Sequence, residues 1–262
     1  MDSYKMSRFS ELRVQSRVLA GYRVVWACVL TGVVVMGGMA CAVAFSVRSS
    51  YMSGEPLTDT SFLYEISGFG FSFAQIFFGL AAIVFICSEW ESGFIYTTYA
   101  ASQRPLRYVL TKSLPPVLGS AGVLFALLVV LVPAEALLLS GSPYTISLAD
   151  PMVWRQIFVQ CFTGVCSALF AAGLAFLFRR PAVALGIYVA ITLIAPIVLG
   201  LIPLGVAEFL SRWLPNNVFG YLTSADAVVV NAVSYPALVT AAVGYPLLSL
   251  AGGYMLLRRS VV

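Results

Sequence analysis

Residues 66–87, ISGFGFSFAQIFFGLAAIVFIC, run for more than 20 positions without a charged side chain. An α-helix needs roughly 20 such residues to cross the hydrocarbon of a bilayer. The apolar residues are continuous rather than alternating, which selects a helix over a barrel strand; only these two structures satisfy every backbone polar group inside lipid. Reading outward, five further runs have the same character: 24–47, 114–140, 153–178, 182–207 and 237–257. With a mean hydropathy of +0.94, 60% hydrophobic residues and 10% charged, they predict an all-α integral membrane protein of six transmembrane helices. Residues 1–262 then form a single transmembrane domain with no room for a soluble core.

The charges predict the orientation. With the N-terminus in the cytoplasm, the inside segments carry Lys5, Arg8, Arg13, Arg17, Arg23, Arg104, Arg107, Lys112, Arg179, Arg180, Arg258 and Arg259. Those are 12 of the 15 basic residues, and the outside keeps only Arg48, Arg155 and Arg212. Positive charge is retained on the cytoplasmic side, so both termini are expected there. The net charge of +4 is thereby explained by topology and gives no support to nucleic-acid binding. Segment 1–23 reads as a cytoplasmic N-terminal stretch, either a helix over Met6–Tyr22 on the inner surface or a basic tail near anionic lipid. Ala40-Cys41-Ala42 has the look of a signal-peptidase site, but the apolar run before it is too long for a signal h-region, so an uncleaved first helix is expected.

Several chemistries are disfavoured by composition. The chain has no histidine, and its five cysteines (Cys28, Cys41, Cys87, Cys161 and Cys166) lie in or at the ends of spans without a C-x-x-C pair. Zinc sites, disulfide frameworks and triad nucleophiles are therefore not expected, and no metal site is assigned. A phosphate-cradling loop needs glycines ahead of a Gly-Lys-Ser/Thr ending. The two lysines, Lys5 and Lys112, lack those glycines, although Ser113 follows Lys112. The reading is a non-enzymatic membrane subunit.

The segment that follows the opening run is unlike the rest: residues 88–112, SEWESGFIYTTYAASQRPLRYVLTK. Ser88 and Glu91 have the S-x-x-E spacing of a capping box, which predicts a helix over about 89–101 lying across the inner face. Arg104-Pro105 marks a turn into a second short helix, with Lys112 ending the polar stretch. Gly93 costs about 1 kcal/mol inside a helix, so the close approach of another backbone is expected there.

Glu89, Trp90, Gly93, Thr97, Thr98, Ala100, Ala101, Arg104 and Lys112 together resemble the Glu-aromatic-x-x-Gly, Thr-Thr, Arg-turn and Lys pattern of type 2 ABC exporter permeases. The resemblance implies that 89–112 holds the cytoplasmic coupling helix between spans two and three. Glu89, Trp90, Gly93, Thr97, Arg104 and Lys112 would then dock a separate ATPase subunit, which binds the ATP and magnesium; this chain holds no cofactor. Arg212-Trp213-Leu214-Pro215-Asn216-Asn217 is similar to a leucine-proline segment of the same family, implying that the external loop 208–236 folds back as short helices able to re-enter the membrane. Six spans are half of what such exporters use, so a second permease copy or a homologue is implied.

Three features lie within the spans. Phe71, Gln75 and Phe78, with Ala82 and Phe85, share one face of span two and suit an amphipathic substrate, although phenylalanines on such a helix also face lipid or neighbouring helices. Glu135 in span three either contacts substrate, forms a buried ion pair, or reaches the interface near the end of the span. Gly164, Ala168 and Ala172 form a small-xxx-small stripe for close helix packing, within the subunit or between copies. Pro196 and Pro203 are expected to kink span five.

The expectation is thus a permease subunit of an ATP-driven exporter in the bacterial cytoplasmic membrane, moving an antimicrobial peptide, drug or lipid. A secondary transporter remains open, as does a non-transporting scaffold or immunity protein binding a partner through 89–112.

Overall fold

The computed structural model describes residues 8–54, 62–93, 95, 105–203, 205–224 and 234–260, with backbone alone for 8–12 and 260. Its described residues are mostly helical: α1 (Arg8–Gly21), α2 (Arg23–Met52), α3 (Phe62–Glu91), α4 (Pro105–Leu138), α5 (Pro151–Phe178), α6 (Pro181–Gly200), α7 (Gly205–Arg212), α8 (Pro215–Thr223) and α9 (Tyr235–Ser260). α2, α3, α4, α5, α6 and α9 are each long and apolar enough to span a bilayer, and the chain is a multi-pass membrane protein.

The six long helices alternate in direction. Tyr22 meets Phe85 edge-on where α2 begins and α3 ends. At the other end, Arg48 donates to the Leu138 carbonyl (3.3 Å), and the Tyr64 hydroxyl donates to Asp150 (2.6 Å). We refer to the end that gathers Arg23, Lys112, Arg179 and Arg258 as the basic end and to the opposite one as the distal end.

Helix boundaries follow local chemistry. Asp150 caps α5 by accepting from the Met152 N–H at 2.9 Å, with Pro151 supplying a first helical residue that needs no donor. The Tyr64 hydroxyl and this N–H hold the Asp150 carboxyl below its ordinary range. α5 ends on Arg179 in the left-handed conformation (φ 57°), and Pro181 starts α6 two residues later. In α6, residues Ala190–Ile194 widen into a π turn just ahead of Pro196. Proline has no N–H and its ring would strike the carbonyl four residues back; the wider turn relieves that clash.

Glycines bring the spans together. A Cβ at Gly70 would lie 2.6 Å from the Met36 carbonyl oxygen, so α2 and α3 touch backbone to backbone. Gly79 lies beneath the Tyr188 ring, and Gly173 and Gly253 seat α5 against α9. With lipid as apolar as the side chains, such close packing is what holds spans together.

Several expected boundaries are corrected. Ser88 does not cap a new helix: its hydroxyl donates to the Phe85 carbonyl, and α3 continues through Glu91. Gly93 has φ 73°, and a Cβ placed on it would meet nothing within 4 Å among the described residues. It therefore terminates the helix by its left-handed backbone rather than by admitting another chain. Pro105 does begin a helix, yet α4 runs unbroken to Leu138 and no separate short helix ends at Lys112. Span five stops at Gly200, which leaves Pro203 beyond it and only Pro196 inside.

Candidate functional site

At the basic end, Glu89 in the last turn of α3 lies 2.6 Å from Lys112 of α4. The Tyr108 hydroxyl donates to the second Glu89 oxygen at 2.8 Å, and Lys112 also donates to Gln15 of α1 at 3.2 Å. The ammonium lies 3.9 Å from the centre of the Phe85 ring. Side-chain exposure is 1% for Lys112 and 14% for Glu89, so the pair is taken out of solvent. A buried ion stays charged at tolerable cost only when its charge and hydrogen bonds are met, and here four polar groups and one ring converge to do so.

The neighbouring Trp90 is held in the same way. The Arg179 guanidinium stacks 4.7 Å from its ring centre and donates to the Leu256 carbonyl of α9 at 3.1 Å. The end of α3 is therefore tied to α1, α4, α5 and α9 through Glu89, Trp90 and their partners. Of the residues expected to dock an ATPase, Lys112 is buried and Glu89 and Trp90 are half-buried, each with a partner inside the subunit. Glu91, Ser92 and Gly93 are exposed beside them, and Ile95 is buried. Thr97 and Arg104, with Thr98, Ala100 and Ala101, lie outside the described residues.

The second constellation is a hairpin, α7–α8, that enters the bundle from the distal end. Asn216 accepts from the Gln75 side chain at 2.5 Å, about 20 Å along α3 from Phe62 at 1.5 Å per residue. The Tyr245 hydroxyl donates to the Trp213 carbonyl. At the far end of α8, Ser224 donates to Glu65 (2.9 Å) and Gln156 donates to the Thr223 carbonyl (2.9 Å). The turn at 213–216 thus sits beside the middle of α3, and α8 runs back toward the distal end. Asn217 closes the turn by donating to the Ser211 carbonyl at 2.7 Å. Over its described part the segment 208–236 thus packs back against α3, α5 and α9, while residues 225–233 are outside the description.

Behind this hairpin runs a buried polar seam. Tyr188 donates to the Gln75 backbone carbonyl (3.1 Å) and pairs with Ser167 (2.7 Å). Gln75, Gln156 and Gln160 are buried, and the side-chain oxygen of each lacks a partner among the described residues. Between α3 and α8 lies a cleft of about 420 Å³. Glu65, Phe69, Ser72, Phe73, Tyr221 and Thr223 are among the side chains on its walls.

The face of span two assigned to substrate is corrected. Phe71, Gln75 and Phe78, like Ala82 and Phe85, are buried in the core, whereas Phe69 and Phe73 are 42% and 45% exposed. Gln75 is nonetheless central, as the tether of the hairpin. Glu135 lies in the last turn of α4 and is 2% exposed; it forms no ion pair among the described residues, and one of its oxygens has no partner there. Gly164, Ala168 and Ala172 pack inside the subunit, with a Cβ at Gly164 only 2.7 Å from Leu124.

Sequence reasoning missed the cleft and the inward pairing of Glu89 with Lys112. The acid-lysine spacing across the 88–112 segment was a usable signal for the pair. No family model and no curated protein matches this chain.

Proposed function

We propose that this chain is the permease subunit of an ATP-driven exporter of the type 2 ABC class, working as one of two such subunits in a bacterial cytoplasmic membrane with both termini inside. The observation that carries the reading is the anchoring of the end of α3: Glu89–Lys112 and Trp90–Arg179 join it to four other helices. A push on the segment after Gly93 would then be delivered to α1, α4, α5 and α9 together. Glu89, Trp90 and Lys112 act as positioning residues, and the contacts to an ATPase fall to Glu91 and the segment 94–104. That partner holds ATP and magnesium. The re-entrant hairpin supports the same reading, because it sets a polar turn at mid-depth where an exported molecule would pass.

Mild-detergent purification from the native host tests the class: a stoichiometric P-loop ATPase should accompany the chain. Glu91→Lys and Arg104→Glu should each lower substrate-stimulated ATP hydrolysis by about tenfold or more while insertion is unchanged. Recovery of the chain without an ATPase, together with wild-type transport in both variants, sinks the assignment. Buried Glu135 favours one second reading, proton-coupled secondary transport. Transport that survives ATP depletion, collapses with the proton gradient and is lost in Glu135→Gln would establish it.

A further inference from the structure

The cleft between α3 and α8 pairs one acidic group with an aromatic wall. Glu65, Phe69, Ser72 and Phe73 fall on one helical face at spacings of about one turn, and Tyr221 and Thr223 close the opposite side. Among the described residues lining it there is one carboxylate and no basic side chain. Ser224 donates to Glu65 at 2.9 Å and so aims the carboxylate, which accepts several donors at once. From Glu65 to Phe73 the wall spans about 12 Å of helix, running from the distal end toward mid-depth. Its volume of about 420 Å³ falls within the ordinary range for small-molecule sites.

We propose that this cleft binds an organic cation, a single positive centre on an apolar body, with the charge against Glu65 and the body against Phe69 and Phe73. A carboxylate on a low-dielectric wall attracts a cation far more strongly than it does in water and repels anions. Aromatic faces add attraction for the same charge and accept an apolar body without polar partners. The charged centre belongs at the distal mouth, where water can reach it, and the body belongs deeper, so an amphipathic cation fits and a compact inorganic one does not. As the substrate site of an exporter the cleft rests on the reading above; as a binding site it does not, because no ATPase is needed to fill it.

The test is equilibrium binding of radiolabelled tetraphenylphosphonium to the full chain in phosphatidylcholine nanodiscs, with empty nanodiscs subtracted. Saturable binding of one cation per chain is expected, with no saturable binding of tetraphenylborate, an anion of the same shape. Glu65→Gln should weaken the affinity by roughly tenfold or more, and Phe73→Leu by roughly threefold. Monodisperse elution and an unchanged melting temperature establish that each variant is folded. Should Glu65→Gln not fold, the cation-against-anion comparison on the unaltered chain and Phe73→Leu decide the matter. Absent saturation, equal binding of both ions, or full affinity in folded Glu65→Gln overturns the proposal. Repeating the titration in phosphatidylethanolamine nanodiscs identifies the source of the cation: competition by the lipid points to a lipid amine, and its absence to a free molecule. If cation binding holds but no ATPase copurifies, the export reading fails and the site stands.

Discussion

Lys112 shows how one side chain can be misread when only its neighbours in sequence are known. A lysine at the end of a polar stretch looks solvated, yet it is 1% exposed and rests between Glu89, Gln15 and the Phe85 ring. Removing one member of a buried pair strands the other, at about 3–5 kcal/mol. Lys112→Met is expected to lower thermal stability in detergent by that order. The double variant Glu89→Gln with Lys112→Met should recover most of the loss, since no charge is then left unpaired. Additive losses in this cycle would mean that the two groups are not coupled. Gln75 shows the converse: its place on an aromatic face drew attention to it, and its side chain meets a hairpin asparagine that no neighbour in sequence announced.

Among the elements, α2 and α3 depend most plainly on a single missing side chain. Gly70 stands against Met36 backbone atoms, which cannot swing away as a side chain would. Gly70→Ala is therefore expected to cost about 2–3 kcal/mol through overpacking. Gly122 of α4 has nothing within 4 Å of a Cβ among the described residues, and Gly122→Ala should be neutral or stabilise by up to about 1 kcal/mol. Thermal unfolding of the two variants side by side checks the contrast; equal melting temperatures would mean that the α2–α3 contact is looser than described. Both glycines look alike in sequence, each lying in a long apolar run, and only the crossing of two backbones separates them. The π turn of α6 is different, because Pro196 announced a disturbance in the sequence and the structure supplied its form.

In the molecule as a whole, the α7–α8 hairpin connects the distal end to the middle of α3 through the Gln75–Asn216 bond. Without it, a polar turn would be held in an apolar layer by fewer partners. Asn216→Ala is expected to speed amide hydrogen exchange in 215–223 while leaving exchange in the middle of α5 unchanged. Equal protection in the variant and the unaltered chain would show that the hairpin is held by other contacts.

The bilayer explains why so much of this architecture was legible before any packing was known. Lipid leaves no route across except fully hydrogen-bonded helices or closed barrels, so continuous apolar runs such as 66–87 and 153–178 declare themselves as helices from hydropathy alone, and Pro105 marks the start of another. The same solvent hides what lies sideways. Protein interior and lipid are equally apolar, so the Phe71–Phe78 face and the Phe69–Phe73 face of one helix cannot be told apart by composition. Which face became core, where Glu89 found its lysine, and how Glu65 came to share a cleft with two phenylalanines were settled by helix crossings between residues far apart in the chain.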